Sequence, residues 1–399
     1  MMRISLTSPA LIAVQDRPAS LTAVFQWGFS MFHIRCQTAD PLSLVTPLKT
    51  IRRLATFALV ALLVATLPAP AHAVTIEWVT VRDPGNVADH TGYGAVADSF
   101  QIMKYEWTNS QYVDFLNAVD PDGTNPNLVY HTMMGTEARG GISFLGGNAA
   151  GSKYAAKTNM GDKPVNFVSW WNAARVANWL ESGAQAYGSS DASASAPQNR
   201  GAYTLGTATS GTAPRVNSEA MFRIPTEDQW YKAAYYLGGR TNAGYSTYAT
   251  HSSLTPQPMS ADQNGNGWYE PSIGVMNYAN YDSGATWNGQ QGNVMTVGTN
   301  GGPSAYGTFD MSGNVGEWND VTGAAGSNKG IRGGFWRSNS YVVSSSSRDM
   351  TYTNYVSDST GFRLAGPAPL GVPEPSTWVM GLAGIACAGW RAFRHRTRA

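Results

Sequence analysis

Apolar positions recur at helical spacing in three stretches of the chain. In TNSQYVDFLNAV, Tyr112, Phe115, Leu116 and Val119 fall at i, i+3, i+4 and i+7, one face of a 3.6-residue period. Thr108 and Asn109 precede them and suit a helix start. SWWNAARVANWL repeats the pattern with Ala173, Val176, Ala177 and Leu180 behind Ser169. PTEDQWYKAAYYLGG does so with Trp230, Ala233, Ala234 and Leu237. There Thr226 and Gln229 fit a capping box, and Gly238 marks the expected stop. Elsewhere the pattern gives only short aromatic strands among Gly, Asn and Ser, with no tandem repeat. It predicts one α+β domain over 74–366, with few helices and many loops. GSSDASASAPQNRGAYTLGTATSGTAP, 188–214, is low-complexity and is expected to be a surface excursion.

Two longer apolar runs flank this body. In LKTIRRLATFALVALLVATLPAPAHAVTIEW, Lys49, Arg52 and Arg53 precede an apolar stretch over 54–67, and Ala71-His72-Ala73 supplies a small-x-small cleavage pattern. That order predicts a secretory signal over 51–73. The leader over 1–50 precedes it, so the true start is expected downstream of Met1. At the other end, a Pro-rich linker over 367–377 carries Val372, Pro373, Glu374 and Pro375. An apolar span over 378–390 follows, then Arg391, Arg394, Arg396 and Arg398. A span of this length is short for a membrane crossing, and snorkelling arginines extend it. Motif, apolar span and Arg cluster together resemble a PEP-CTERM sorting signal. The resemblance implies an exosortase-type sorting protease as partner, membrane anchoring of the precursor through 378–399, and delivery to the cell surface or outside it.

Charge changes the picture of the body. The whole chain of 399 residues has a formal charge of +1, but between positions 74 and 372 there are 17 Lys/Arg against 23 Asp/Glu, a net of −6. Such a body lacks the basic footprint that nucleic acid requires. The two cysteines, Cys36 and Cys387, both lie outside it. The body therefore holds no disulfide, thiolate metal site or Cys nucleophile.

The densest motif is YGTFDMSGNVGEW, 306–318. Asp310 and Glu317, with the Gly313 and Val315 carbonyls between them, can converge on a hard cation, and calcium accepts six to eight such oxygens. The competing arrangement is a turn in which Glu317 pairs with an arginine. DMSGNVGEW also resembles the signature of the formylglycine-generating enzyme, or sulfatase-modifying factor, family. IMKYEWTNSQYVDFL, KPVNFVSWWNAARVANWL, FRIPTEDQWYKAA, IRGGFW and TGFRLA resemble further elements of that family in the same order. The resemblance spans nearly the whole body. It implies a C-type-lectin-like fold and a structural calcium on Asp310, Glu317 and the carbonyls of Gly313 and Val315. It also implies a second calcium site on Asn280 and the Tyr281 carbonyl, with further ligands in WNGQQGNVM.

At the catalytic position the chain departs from the family. Active relatives bind copper through two cysteines five apart after the glycine pair, and Ser338 and Val343 occupy those places. Serine is a poor ligand for Cu(I) and valine is none, so no copper is expected. The body's histidines, His90, His131 and His251, are far apart and show no metal spacing.

Other chemistry is sparse. Asp262, Asn264, Asn266 and Gly267 start like an EF-hand loop, but its twelfth position is Ile273, so an Asx-rich turn is expected. There is no G-x-S-x-G, Walker A or H-E-x-x-H. Arg223 with Glu227, and Arg332 or Arg363 with Glu106 or Glu317, are expected as buried ion pairs. Of the aromatics Trp268, Tyr269, Trp287 and Trp336, most are expected in the core. The sequence thus leads to a calcium-stabilised, non-enzymatic module for a glycan or protein ligand. The competing reading is an enzyme of unknown reaction using a cleft of Trp336, Arg337, Ser338 and Arg348.

Overall fold

The structure, a computed structural model, describes residues 22–27, 30–35, 74–268 and 277–368. The signal peptide, the motif at 372–375, the C-terminal apolar span, both cysteines, Tyr269 and Ile273 lie outside the described residues. Among the described residues no helix is long and apolar enough to cross a membrane. The chain divides into two compact units, Met1–Ala69 and Pro70–Ala399. In the first, β1 (Thr22–Trp27) and β2 (Ser30–Arg35) pair antiparallel.

The second unit is α+β, with short helices and short strands. Strand β3 (Trp78–Val81) pairs antiparallel with β4 (Phe100–Met103). Helix α1 (Asn109–Val119) starts where expected. Thr108 is its N-cap and closes a capping box with Gln111, satisfying two otherwise orphaned donors. Helix α2 (Trp170–Glu181) is capped by Ser169, which accepts from the Asn172 N–H at 3.2 Å. Helix α3 (Glu227–Tyr235) has the predicted Thr226–Gln229 box.

The apolar stripes of α1 and α2 face one another across the main core. Tyr112, Phe115, Trp170, Trp179, Trp318 and Phe362 are buried there together. A second core surrounds α3, where Trp230, Ala233 and Ala234 meet Val81, Phe100 and Ile102.

Strands β5 (Gly316–Asn319), β6 (Asn328–Arg332), β7 (Asp349–Tyr352) and β8 (Thr360–Gly361) form a sheet in the order β7-β6-β5-β8. The β5–β8 pairing is parallel, with Glu317 opposite Gly361; the other two are antiparallel. The closing strand β9 (Ala365–Pro367) returns to β4.

Two expectations are corrected. Helix α3 ends at Tyr235 instead of reaching Leu237, which is exposed. Tyr236 leaves the helix to pair with Tyr245 in a short ribbon, and its hydroxyl donates to Asp83. The stretch 188–214 is not wholly a surface excursion either. Gln198, Asn199, Ala202 and Tyr203 are fully buried. Polar side chains of α2 hold this segment: Asn178 donates to the Gln198 and Tyr203 carbonyls, and Arg175 reaches Asn199 and the Ala208 carbonyl. A low-complexity strip can thus be buried because α2 satisfies its backbone.

The loop entering β5 contains a close backbone approach within the signature motif. Gly313 adopts φ +99°, and a Cβ there would lie 2.2 Å from the Asn280 carbonyl oxygen. Gly289, at φ +70°, has open space around it. Gly313→Ala should therefore cost about 3 kcal/mol or more, from strain plus overpacking, and Gly289→Ala about 1–2 kcal/mol. Denaturant unfolding of both variants checks the difference, and equal costs would refute this account.

Candidate functional site

The signature motif is held by amides and by buried charge. Asn314 is fully buried and works in both directions. Its Nδ2 donates to Glu106 Oε2 at 2.5 Å, and its Oδ1 accepts from Asn280 Nδ2 at 3.0 Å and the Met295 N–H at 2.9 Å. The Val315 N–H donates to Glu106 Oε1, and the Asn314 N–H to the Asn280 carbonyl. Asn280 thus faces the motif through both side chain and backbone. The Tyr281 carbonyl accepts from the Gly284 N–H within its own turn.

Glu317 pairs with Arg363, with Nε to Oε2 at 2.6 Å and Nη2 to Oε1 at 2.7 Å. Trp230 Nε1 donates to the same carboxylate at 2.9 Å. Asp310 accepts from the Gly298 N–H and Asn300 Nδ2, both at 2.6 Å. The arginine partner weighed for Glu317 is therefore present. Arg332 instead pairs with Glu227, which also binds Arg348; Arg223 is not that residue's partner. Glu106 faces amide donors rather than a guanidinium.

This leaves an excess of negative charge inside the protein. Glu106, Asp310 and Glu317 are all buried and interact electrostatically, with Arg363 as their common cation. Burial, then the charges of Asp310 and Glu317, hold the Glu106 carboxyl well above the usual carboxylate range. Burial pushes Asp310 up to about 6.

The oxygens present fit a hard cation in part. A carboxylate offers about four acceptor positions. Glu317 has three filled and Asp310 two, and the Asn280 and Asn300 amide oxygens are buried without partners among the described residues. No group of three or more His, Cys, Asp or Glu at metal spacing occurs among the described residues. A cation here would thus have to take backbone carbonyls such as those of Gly313 and Val315.

Ser338 and Val343 lie around one glycine. A Cβ on Gly334, at φ +68°, would sit 2.8 Å from Val343 Cγ1 and 3.2 Å from Ser338 Oγ. Ser338 is buried, and its hydroxyl accepts from the Phe335 N–H at 3.0 Å. Val343 is fully buried with Tyr248, Ala279 and Tyr281.

The rest of the candidate cleft does not converge. Trp336 is buried, with Arg139 stacked 4.0 Å from its ring centroid and Arg337 at 5.3 Å. Arg348 belongs to the Glu227 cluster and lies 5.4 Å from the Tyr93 ring. Trp287 is also buried, whereas Trp268 is 58% exposed. Asp262 Oδ1 accepts the Asn264 and Asn266 N–H groups, the expected Asx turn.

A cavity of about 100 Å³ opens instead beside Gly334, bounded by Arg332, Phe335, Asp349, Tyr355 and Thr360. The last three escape sequence reasoning, because DMTYTNYVSDST carries neither a spacing nor a motif that points to a site.

Residues 84–368 match the family described as Sulfatase-modifying factor enzyme 1-like domain, and the chain belongs to that family. No curated protein matches it. Among solved structures it is similar to Treponema denticola variable protein 1, at 18% identity over 75% of this chain and 97% of that one, with a TM-score of 0.41. It is similar to CarF at 23% identity over 73% and 98%, TM-score 0.45. It is also similar to PvdO from Pseudomonas aeruginosa at 16% identity over 74% and 92%, TM-score 0.34.

The raised carboxyls set the sign of a pH effect. Between about pH 4 and 6 the folded state holds a proton on Asp310 that the unfolded chain has released. Stability contributed by this group is present below pH 4 and is lost as pH rises through 6, by about 3 kcal/mol for a shift of this size. In chelator-treated protein, Asp310→Asn should lose less stability than wild type between pH 4 and pH 7. Urea unfolding at both pH values measures this, and an unchanged pH dependence would contradict it.

Proposed function

We propose that this chain is an exported, non-enzymatic member of its family: a surface or matrix module that binds a ligand and is stabilised by calcium. The observation that carries the reading is the packing around Gly334. Where active relatives present two thiolates, Ser338 spends its hydroxyl on a backbone N–H and Val343 fills a core of aromatic neighbours. Neither supplies a copper ligand. The body has no cysteine elsewhere to replace them. The scaffold elements, by contrast, are intact.

Export is supported by the signal-like segment at 51–73 and by the PEP-CTERM resemblance. Its partner would be an exosortase-type membrane protease acting near 372–375. Calcium is supported by the surplus of buried carboxylate and by the unpartnered amide oxygens of Asn280 and Asn300. Asp310, Glu317 and the Gly313 and Val315 carbonyls would hold one ion, and Asn280 and Tyr281 would contribute to another. A bound ion would cross-link loops that have little apolar core of their own.

Two measurements test these claims. Incubating the purified chain with copper, oxygen and a cysteine-containing sulfatase-type peptide should yield no aldehyde, and clear aldehyde formation would end the non-enzymatic reading. Chelator should lower the melting temperature of wild type. Glu317→Ala should be destabilised already and insensitive to chelator, so a melting temperature unmoved by chelator in wild type would remove the calcium claim.

A further inference from the structure

The cavity beside Gly334 is chemically distinct from the buried charge clusters around it. Its floor is apolar, from Ile331, Gly334 and Phe335. Its polar groups come from Arg332, Ser347, Asp349, Tyr355, Ser359 and Thr360. Among the described residues, no hydrogen bond uses the Ser347, Tyr355 or Thr360 hydroxyls, and Asp349 keeps one carboxylate oxygen free. Thr360 is only 3% exposed, yet its hydroxyl is not among the fully enclosed unpartnered atoms. It therefore opens to the cavity.

Aromatic surface adjoins these groups. Tyr355 is 42% exposed at the cavity, and Tyr352, in the neighbouring strand, is 71% exposed. An apolar floor, unspent hydroxyls and an exposed aromatic ring make a site for a ligand with both a hydroxylated edge and an apolar face.

Two other ligand classes fit less well. The cavity's one guanidinium, Arg332, is buried and already paired. It donates to Glu227 and to the Ser345 and Ser347 carbonyls, and its side chain is 1% exposed between the Tyr93 and Tyr231 rings. Its burial and its pairing with Glu227 disfavour a further anion, and Asp349 beside it repels one. An extended peptide could pair with the free edge of β7, but that edge is half blocked. The Met350 N–H donates to Asp349 Oδ1, and the Tyr352 carbonyl accepts from the Tyr355 N–H.

We infer that this cavity is a binding site for a neutral carbohydrate, with Tyr355 meeting the face of one sugar ring and Thr360, Ser347 and Asp349 meeting its hydroxyls. The inference rests on the reading of the domain as a binding module and names its ligand class.

The test is calorimetric titration of the full chain with neutral tetrasaccharides (a β-glucan, an α-glucan, a mannan and a galactan). A sulfated tetrasaccharide and an uncharged octapeptide serve as comparison probes. At least one neutral tetrasaccharide should bind with Kd below about 1 mM, unaffected by raised salt. Tyr355→Ala and the near-isosteric Thr360→Val should each weaken it by about tenfold, and Trp268→Ala should not. Melting curves confirm that each variant is folded. The proposal is overturned if no neutral tetrasaccharide binds, if binding ignores both substitutions, or if only the sulfated sugar or the peptide binds. Failure here, with no aldehyde formed in the oxidase assay, removes the ligand class alone. Aldehyde formation removes the underlying reading whatever the titration gives.

Discussion

Arg363 carries a full charge at 0% exposure, and the carboxylate of Glu317 meets it with two short hydrogen bonds. Four parts of the chain depend on that contact. The remaining guanidinium donors go to the carbonyls of Met103, Lys104 and Phe309, and the carboxylate also takes the indole N–H of Trp230 from α3. One ion pair thus joins the end of β4, the loop before β5, β5 itself and the second core. Its net worth against an apolar replacement is small, but removing one partner leaves a bare buried charge, at a cost of about 3–5 kcal/mol. The pair therefore acts more as a demand for one particular arrangement than as a reservoir of stability.

The loops around β5 answer the same demand with amides. A structure with so little regular ladder must satisfy its buried backbone by side chains. Asn280 and Asn314 do so across 34 positions of sequence, and Asn178 does it for the segment after Gln198. This explains why the body is rich in Asn and Gly. Gly allows the loops to touch, as Gly313 does at Asn280, and Asn then fills the hydrogen bonds that the contact exposes.

What the sequence made legible follows the range of each interaction. The helices were readable because their stripes and caps are local: Thr108 with Gln111, and Thr226 with Gln229, sit three residues apart. The Glu317–Arg363 pair was visible as one of several pairings, because both residues belong to family motifs. Glu227 was not traceable to its two arginines, which lie 105 and 121 positions away. The end of α3 was misjudged for the same reason, since what stops it is Tyr236 bonding to Asp83, 153 positions back. The cavity at Tyr355 and Thr360 was invisible because it depends on which hydroxyls remain unused, and only the complete set of partners reveals that.

The separation between scaffold and chemistry has a physical basis. Ser338 and Val343 touch the space around Gly334 and lie outside the Glu317–Arg363 network, the amide bridges and the helix cores. The side chains at these two positions can therefore change at the cost of local packing alone. Val343 returns part of that cost by burial against Tyr248 and Tyr281. The unspent hydroxyls of Thr360 and Tyr355 lie beside a buried guanidinium already paired with Glu227.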